Sequence, residues 1–358
     1  MKNPVLLTCW FMIPLFSLGC DTAQSQVSMN EEIDWAAPHS IHDAPDLCRR
    51  RGLPCADTEE LMEVFSSLID RRIAGYPGGA TEIEADFEAA LAQYGVEDET
   101  LYDISDALDS SGRADRRGPM PVTRLWLHER LGEDTRAALS YAKDAADEEE
   151  LQMRASFNYQ VSVRAIKTHR CADDWGHEWG CDSEEPFIAH GAWGPGWKWF
   201  SETEVGKVKN PGDEYWFVNK TSIPSSASFS YDPIMYVWRV GENDPEEGNF
   251  NWVSAALAAS SAVAKAFGGD WFGVFDAGLK LVAELGKIGG NGDDMYSSFF
   301  MIYDPPTLQQ ITSSTKTQPA PKMFFSLPAE SHYKSMAIYN TFVPGGAGWN
   351  VLHTVNRL

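Results

Sequence analysis

The apolar positions of this chain change period near residue 155. From residue 57 to about residue 154 they recur every three or four residues, and from residue 157 onward many fall on every second residue. In the first stretch Leu61, Phe65 and Leu68 share one helical face. Phe87, Leu91 and Tyr94 share another, and Leu101, Ile104 and Leu108 a third. The segments 57–60 (Asp to Glu) and 81–84 (Thr to Glu) have the shape of capping boxes, in which a short polar side chain and an acid three residues on satisfy each other's backbone N–H groups. Tyr76-Pro77-Gly78-Gly79, Ser110-Ser111-Gly112 and Gly118-Pro119 interrupt the pattern. Leu125, Leu127 and Leu131 lead into a last, long helix predicted to run to about Arg154. The stretch reads as a small bundle of about five helices.

The second stretch opens with Phe157, Tyr159, Val161, Val163 and Ala165 alternating with polar residues, the pattern of a half-buried strand. Further strands are predicted at 186–192, 214–218, 234–240, 296–303, 323–327, 336–343 and 351–355. Short strands parted by Gly, Pro and Asp favour an antiparallel β-sandwich, and the lack of β-α-β alternation argues against a doubly wound nucleotide fold. Residues 252–288 break the period. They are rich in Ala and Ser, with Gly268-Gly269 in the middle and helical spacing on both sides. Each half is too short to cross ~30 Å of hydrocarbon at ~1.5 Å per residue, and Asp270, Asp276, Lys280 and Glu284 crowd the second. A buried hairpin packed on the sandwich is expected, with a membrane-active hairpin as the rival. The expected fold class is α+β: an N-terminal small helical bundle followed by an antiparallel β-sandwich with an inserted helical hairpin.

The N-terminus reads as an address. Lys2 precedes an apolar run from Val5 to Leu18, which ends in Ser17-Leu18-Gly19-Cys20 and then turns polar. The cysteine directly after glycine resembles the lipobox of bacterial lipoproteins, with Ser17 where leucine is usual and Leu18 where a small residue is usual. The resemblance implies cleavage before Cys20, acylation of Cys20 (palmitate or a similar chain) and anchoring in the cell envelope, to the inner or outer membrane. The expected organisation is a signal peptide at 1–19, a lipid-anchored polar tether at 20–45, an acidic helical domain at 46–154 and a Trp-rich sandwich domain at 155–358 with its helical insertion at 252–288.

Charge sharpens this division. The 358 residues carry a formal net charge of −23, which excludes a nucleic-acid binder. Residues 21–150 hold 30 acids against 12 bases, whereas residues 151–358 hold 22 against 16 and ten of the 13 tryptophans. The acids of the first part fall mostly between apolar positions and are expected on a solvated face. A hydrophobic content of 43% excludes global disorder.

The candidate chemistry begins with cysteine. Cys48 with Cys55 and Cys171 with Cys181 form two close pairs, which in an exported chain are expected as local disulfides. His169, Cys171, His177 and Cys181 make a rival zinc set, but their spacing does not match the usual ligand arms. No nucleophile elbow, zincin helix or phosphate loop is present in the sequence, and no cofactor is expected. Acidic clusters stand near predicted strand ends: Asp173-Asp174, Glu242 with Asp244, and Asp293-Asp294. Carboxylates from separate loops suit calcium. The order of strand, Glu-x-Asp loop, Asp-Asp and strand resembles in shape the calcium-dependent lipid-binding β-sandwiches of the synaptotagmin type, apart from the helical insertion. Trp193, Trp197 and Trp199 are candidates for binding a sugar ring or a protein partner. The expected function is a non-catalytic binding or interaction protein of the cell envelope, joined to the membrane by its lipid, with an unknown protein or carbohydrate ligand. The alternatives are a calcium-dependent binding domain, an envelope carbohydrate hydrolase and a membrane-active protein.

Overall fold

A computed structural model describes residues 27–28, 39–40, 47–50, 52–112, 120–141, 159–170, 186–204, 214–216, 233–242, 248–288, 295–303, 335–342 and 348–357. Over these residues the chain is mixed helix and sheet, with two antiparallel five-stranded sheets and no closed barrel, in keeping with the α+β class.

The first half is helical. A short turn, α1 (Leu47–Arg50), precedes α2 (Thr58–Ile73), α3 (Glu82–Tyr94), α4 (Asp98–Ser110), α5 (Arg124–Arg130) and α6 (Glu133–Leu139). The periodic apolar residues supply its core: Phe65, Leu68, Phe87, Tyr94, Ile104 and Leu127 are fully buried. Leu125 is the exception, at 70% exposed. Asp57 caps α2 by accepting from the N–H groups of Glu59 and Glu60 at 2.9 and 3.0 Å. The other arm of the predicted box goes elsewhere. Glu60 Oε2 accepts from Gly132 N–H at 2.8 Å, and Asp57 N–H donates to Thr135 Oγ1 at 2.8 Å. These two bonds tie the start of α2 to the junction of α5 and α6. The box at 81–84 is complete, with Glu84 N–H donating to Thr81 Oγ1 at 3.2 Å and Thr81 N–H to Glu84 Oε2 at 2.8 Å. The helix expected from after Leu131 up to about Arg154 begins at Glu133 and, among the described residues, α6 ends at Leu139 with Ser140 as its C-cap. Residues 142–158, with the expected domain boundary, lie outside the described residues.

One acid departs from the expected solvated face. Glu84 is fully buried and takes Arg71 Nε at 2.7 Å and Arg71 Nη2 at 3.1 Å, a two-pronged ion pair. Val122 N–H also donates to Glu84 Oε1, at 2.9 Å. Arg71 in turn donates to the carbonyls of Pro77 and Gly79, at 2.9 and 3.0 Å. The pair therefore pins α2, the loop after it, α3 and the segment leading into α5 to one another.

The inserted hairpin is α7 (Gly248–Phe267) and α8 (Trp271–Ile288). It packs on the helices as well as on a sheet. α7 meets α3 and α4, and α8 meets α2, α4 and α6. The two hairpin helices approach closely because of small residues: a Cβ at Gly278 would stand 2.6 Å from Leu257 Cδ2. Among the described residues no helix is long and apolar enough to cross a membrane.

The strands are β1 (Val27–Ser28), β2 (His39–Ser40), β3 (Tyr159–Arg170), β4 (Pro186–Gly194), β5 (Trp197–Glu204), β6 (Glu214–Trp216), β7 (Ile234–Glu242), β8 (Met295–Tyr303), β9 (Ser335–Phe342) and β10 (Gly348–Arg357). One sheet runs β1-β9-β10-β3-β6 and the other β2-β8-β7-β4-β5. β1 and β2 come from the expected tether; Val27 pairs with Ile338 and His39 with Phe300. β5 was not predicted, because its Trp-rich start after Gly194-Pro195-Gly196 reads as loop. The turn is instead a hairpin that returns β5 along β4, with Gly196 at φ 81° where a side chain is disfavoured. The strand predicted at 323–327 lies outside the described residues.

The central strands β8, β7 and β4 of the second sheet are buried on both faces. Ala189, Trp193, Met235, Val237, Phe300 and Ile302 join the helical core. The alternate residues Ile188, His190, Ile234, Tyr236, Trp238 and Tyr303 are also buried, and several of them meet the other sheet.

Candidate functional site

Four titratable side chains converge between the two sheets. His190 comes from β4, Tyr236 from β7, Tyr303 from β8 and His353 from β10. None is more than 2% exposed. Each shares a parity with other buried residues of its strand: His190 with Ile188 and Ala192, Tyr236 with Ile234 and Trp238, and His353 with Val351 and Val355. His190 Nδ1 and the Tyr236 hydroxyl are 2.7 Å apart, and the Tyr303 hydroxyl and His353 Nε2 are 2.9 Å apart. The Tyr236 ring lies 5.6 Å from the His353 ring, and Tyr303 stacks parallel to His353 at 6.3 Å. Trp199 stands edge-on to His190 at 4.7 Å. The backbone of Val163 on β3 also hydrogen-bonds the Tyr236 hydroxyl.

The electrostatics follow from burial. Desolvation, and for His190 also the neighbouring His353, pulls both histidines down to about 3 from the usual 6.5. Both are therefore neutral at neutral pH. Desolvation raises the two tyrosines far above their ordinary range. The cluster is uncharged, and its polarity is met by internal hydrogen bonds. His190 Nε2 is a buried nitrogen without a hydrogen-bond partner among the described residues. The chemistry of the cluster is that of a polar core that resists protonation.

A second buried group lies on α8. Lys280, 1% exposed, places Nζ 3.2 Å from Asp276 Oδ2, 3.0 Å from the Ala56 carbonyl and 3.5 Å from Cys48 Sγ. Cys48 and Cys55 are joined as a disulfide.

The residues singled out from sequence divide by position. Trp193 is 1% exposed; its Nε1 donates to Ser254 Oγ of α7 at 3.1 Å, and its ring stacks on Phe250 at 5.9 Å. Trp197 and Trp199 are half-buried on β5, an edge strand, and Trp197 folds back over Gly194. Glu242 ends β7, opposite Pro186. Cys20, Cys171, Cys181, Asp173, Asp174, Asp244, Asp293, Asp294 and His177 lie outside the described residues, as does the side chain of His169. Among the described residues no group of three His, Cys, Asp or Glu could hold a metal ion.

The histidine–tyrosine cluster and Lys280 were not anticipated. The signal for the cluster was present: a histidine at the apolar parity of a strand, as at positions 190 and 353, must be buried if the strand is. For Lys280 the four-residue spacing from Asp276 on one helix was the legible part, whereas the Ala56 carbonyl and Cys48 Sγ reach it from a distant part of the chain. Comparison with protein-family models, curated proteins and solved structures finds no match to this chain.

Proposed function

We propose that the protein is an exported lipoprotein of the bacterial cell envelope, anchored through Cys20, which binds a ligand or partner and performs no catalysis of its own. The observation that carries the reading is the Cys48–Cys55 disulfide, since such bonds persist in oxidising compartments outside the cytosol. It agrees with the signal-like start and the lipobox-like Ser17-Leu18-Gly19-Cys20. In this reading the helices form a small bundle and the two sheets a β-sandwich. The tether from the lipid is held to the sheet edges by the pairings of β1 and β2. The test is metabolic labelling with an alkyne analogue of palmitate in a bacterial host. The wild-type chain takes the label and sediments with membranes, and Cys20→Ala does neither. Undiminished labelling of Cys20→Ala overturns the anchor.

A second reading is supported by strand register. Pro186 pairs with Glu242, and Met295 with Gly241. The three acidic stretches therefore join one sheet at the same end: 171–185 enters β4, 243–247 leaves β7 and 289–294 enters β8. In this reading carboxylates from Asp173, Asp174, Glu242, Asp244, Asp293 and Asp294 hold calcium. Thermal melting with millimolar calcium and with chelator tests it; a raised Tm in calcium is expected, and an unchanged Tm counts against it.

A further inference from the structure

The Cys48–Cys55 disulfide has two unlike ends. Cys48 is 1% exposed, whereas Cys55 is only half-buried. The buried end faces a cation. Lys280 reaches Cys48 Sγ at 3.5 Å, and it is itself held by the Ala56 carbonyl at 3.0 Å and by Asp276 at 3.2 Å. A thiolate attacks a disulfide at the sulfur it can reach, and the reaction is fastest when the departing sulfur leaves as a stabilised thiolate. A neighbouring ammonium stabilises a thiolate. Cys55 meets the first condition and Cys48 the second. Asp276 offsets part of the lysine charge, but its carboxylate lies on the same helix one turn away and also keeps Nζ in place.

We propose that Cys48–Cys55 is a directional thiol-exchange site for small thiols and dithiols. The incoming thiolate forms a bond to Cys55 Sγ. The Cys48–Cys55 bond breaks, and its electron pair leaves on Cys48 Sγ beside the Lys280 ammonium. The products are a mixed disulfide on Cys55 and a thiolate on Cys48. A second thiolate, or the other thiol of a dithiol, then attacks the sulfur of the bound group and releases Cys55 as a thiolate. The two incoming thiols end as a disulfide and the protein pair ends reduced by two electrons. If the second thiolate is lacking, the Cys48 thiolate attacks Cys55 Sγ, the bond to the incoming group breaks, and that group leaves as its thiolate while the original disulfide is restored.

The test uses the intact folded chain at neutral pH in millimolar glutathione. The reaction is quenched with acid, free thiols are alkylated and the sites are mapped by mass spectrometry. Circular dichroism confirms that the chain stays folded. Glutathione on Cys55 and the alkyl label on Cys48 are the expected result. Lys280→Met is expected to slow adduct formation by roughly tenfold, and Lys280→Arg to restore most of the rate. The wild-type map stands by itself if Lys280→Met does not fold. Adducts on Cys48, or equally on both sulfurs, overturn the direction. Reaction only under denaturing conditions overturns the site.

Discussion

The helical layer and the space between the sheets both bury titratable groups, and they solve the cost of burial in opposite ways. Around α2 and α3 the buried groups are charged. Arg71 and Glu84 meet in a two-pronged contact, and the remaining donors and acceptors find the Pro77 and Gly79 carbonyls and the Thr81 and Val122 N–H groups. Between the sheets the groups are neutral. His190 bonds to Tyr236 and Tyr303 to His353, each as a neutral pair. A removed partner leaves a bare charge in the first region and only a lost dipole in the second. Acid acts the other way round. It destabilises the space between the sheets from pH 6.5 downward, because the folded cluster refuses protons, and it reaches the ion pair only below pH 4.5.

The pH response is therefore the largest effect that separates the two regions. Both histidines fall from the usual 6.5 to about 3 in the folded chain, by desolvation first. Above pH 6.5 neither state binds these protons and their contribution is whole. Below it the unfolded chain takes up protons that the folded chain refuses. Each histidine then costs about 1.4 kcal/mol per pH unit, until the pH nears the folded value. At pH 4.5 the pair has removed about 5 kcal/mol, comparable to the whole stability of a marginal domain. Glu84 behaves oppositely. Burial pushes its carboxyl up, but the bonds from Arg71, Thr81 and Val122 outweigh burial and hold it below the usual 4.5. Its contribution is present above pH 4.5 and is lost only as pH falls through the lower folded value. Urea unfolding at pH 7, 6 and 5 is expected to give a falling stability, and His353→Phe is expected to halve the slope. An unchanged slope in that variant would erase the distinction between the regions.

The next effect is the charge left behind. Arg71→Met keeps the bulk near Arg71 but strands Glu84 in the core, at an expected cost of about 3–5 kcal/mol at neutral pH. The cost should shrink in acid, because an unpaired buried carboxyl takes up a proton more readily. Replacing Glu84 by Gln as well removes the stranded charge and should recover part of the loss. Urea midpoints of the single and double variants measure both. A single variant within 1 kcal/mol of wild type at neutral pH would show that the pair is no stronger than an exposed one.

Sequence pattern reached the helices and strands more readily than it reached these groups, and the reason is range. The capping box at 81–84 was legible because Thr81 and Glu84 are three residues apart. The box at 57–60 was half legible, because Glu60 is drawn to Gly132, 72 residues away. β5 was hidden by the Gly-Pro-Gly turn before it, since Trp197 and Trp199 serve a turn or a strand equally well. Arg71 and Glu84 look like surface residues of two helices until α3 folds onto α2. The buried histidines were readable by parity, yet their tyrosine partners depend on which strands become neighbours. Alternation supplies the face of a strand and says nothing about who stands opposite.

The smallest of the three effects lies at the seam between the regions. Trp193 on β4 faces the helical core, and its indole N–H donates to Ser254 Oγ on α7 at 3.1 Å, with both residues 1% exposed. Ser254→Ala removes one oxygen and leaves the indole N–H buried without an acceptor, a cost of about 1–3 kcal/mol. Neither group titrates in the accessible range, so this cost should be the same at pH 7 as at pH 5. That constancy distinguishes it from the histidine cluster, where the cost grows in acid, and from Arg71→Met, where it shrinks. Urea unfolding of Ser254→Ala at the two pH values measures it. A pH-dependent cost would mean that the seam is coupled to the neutral cluster across the sheet, so that the two regions do not respond to acid independently.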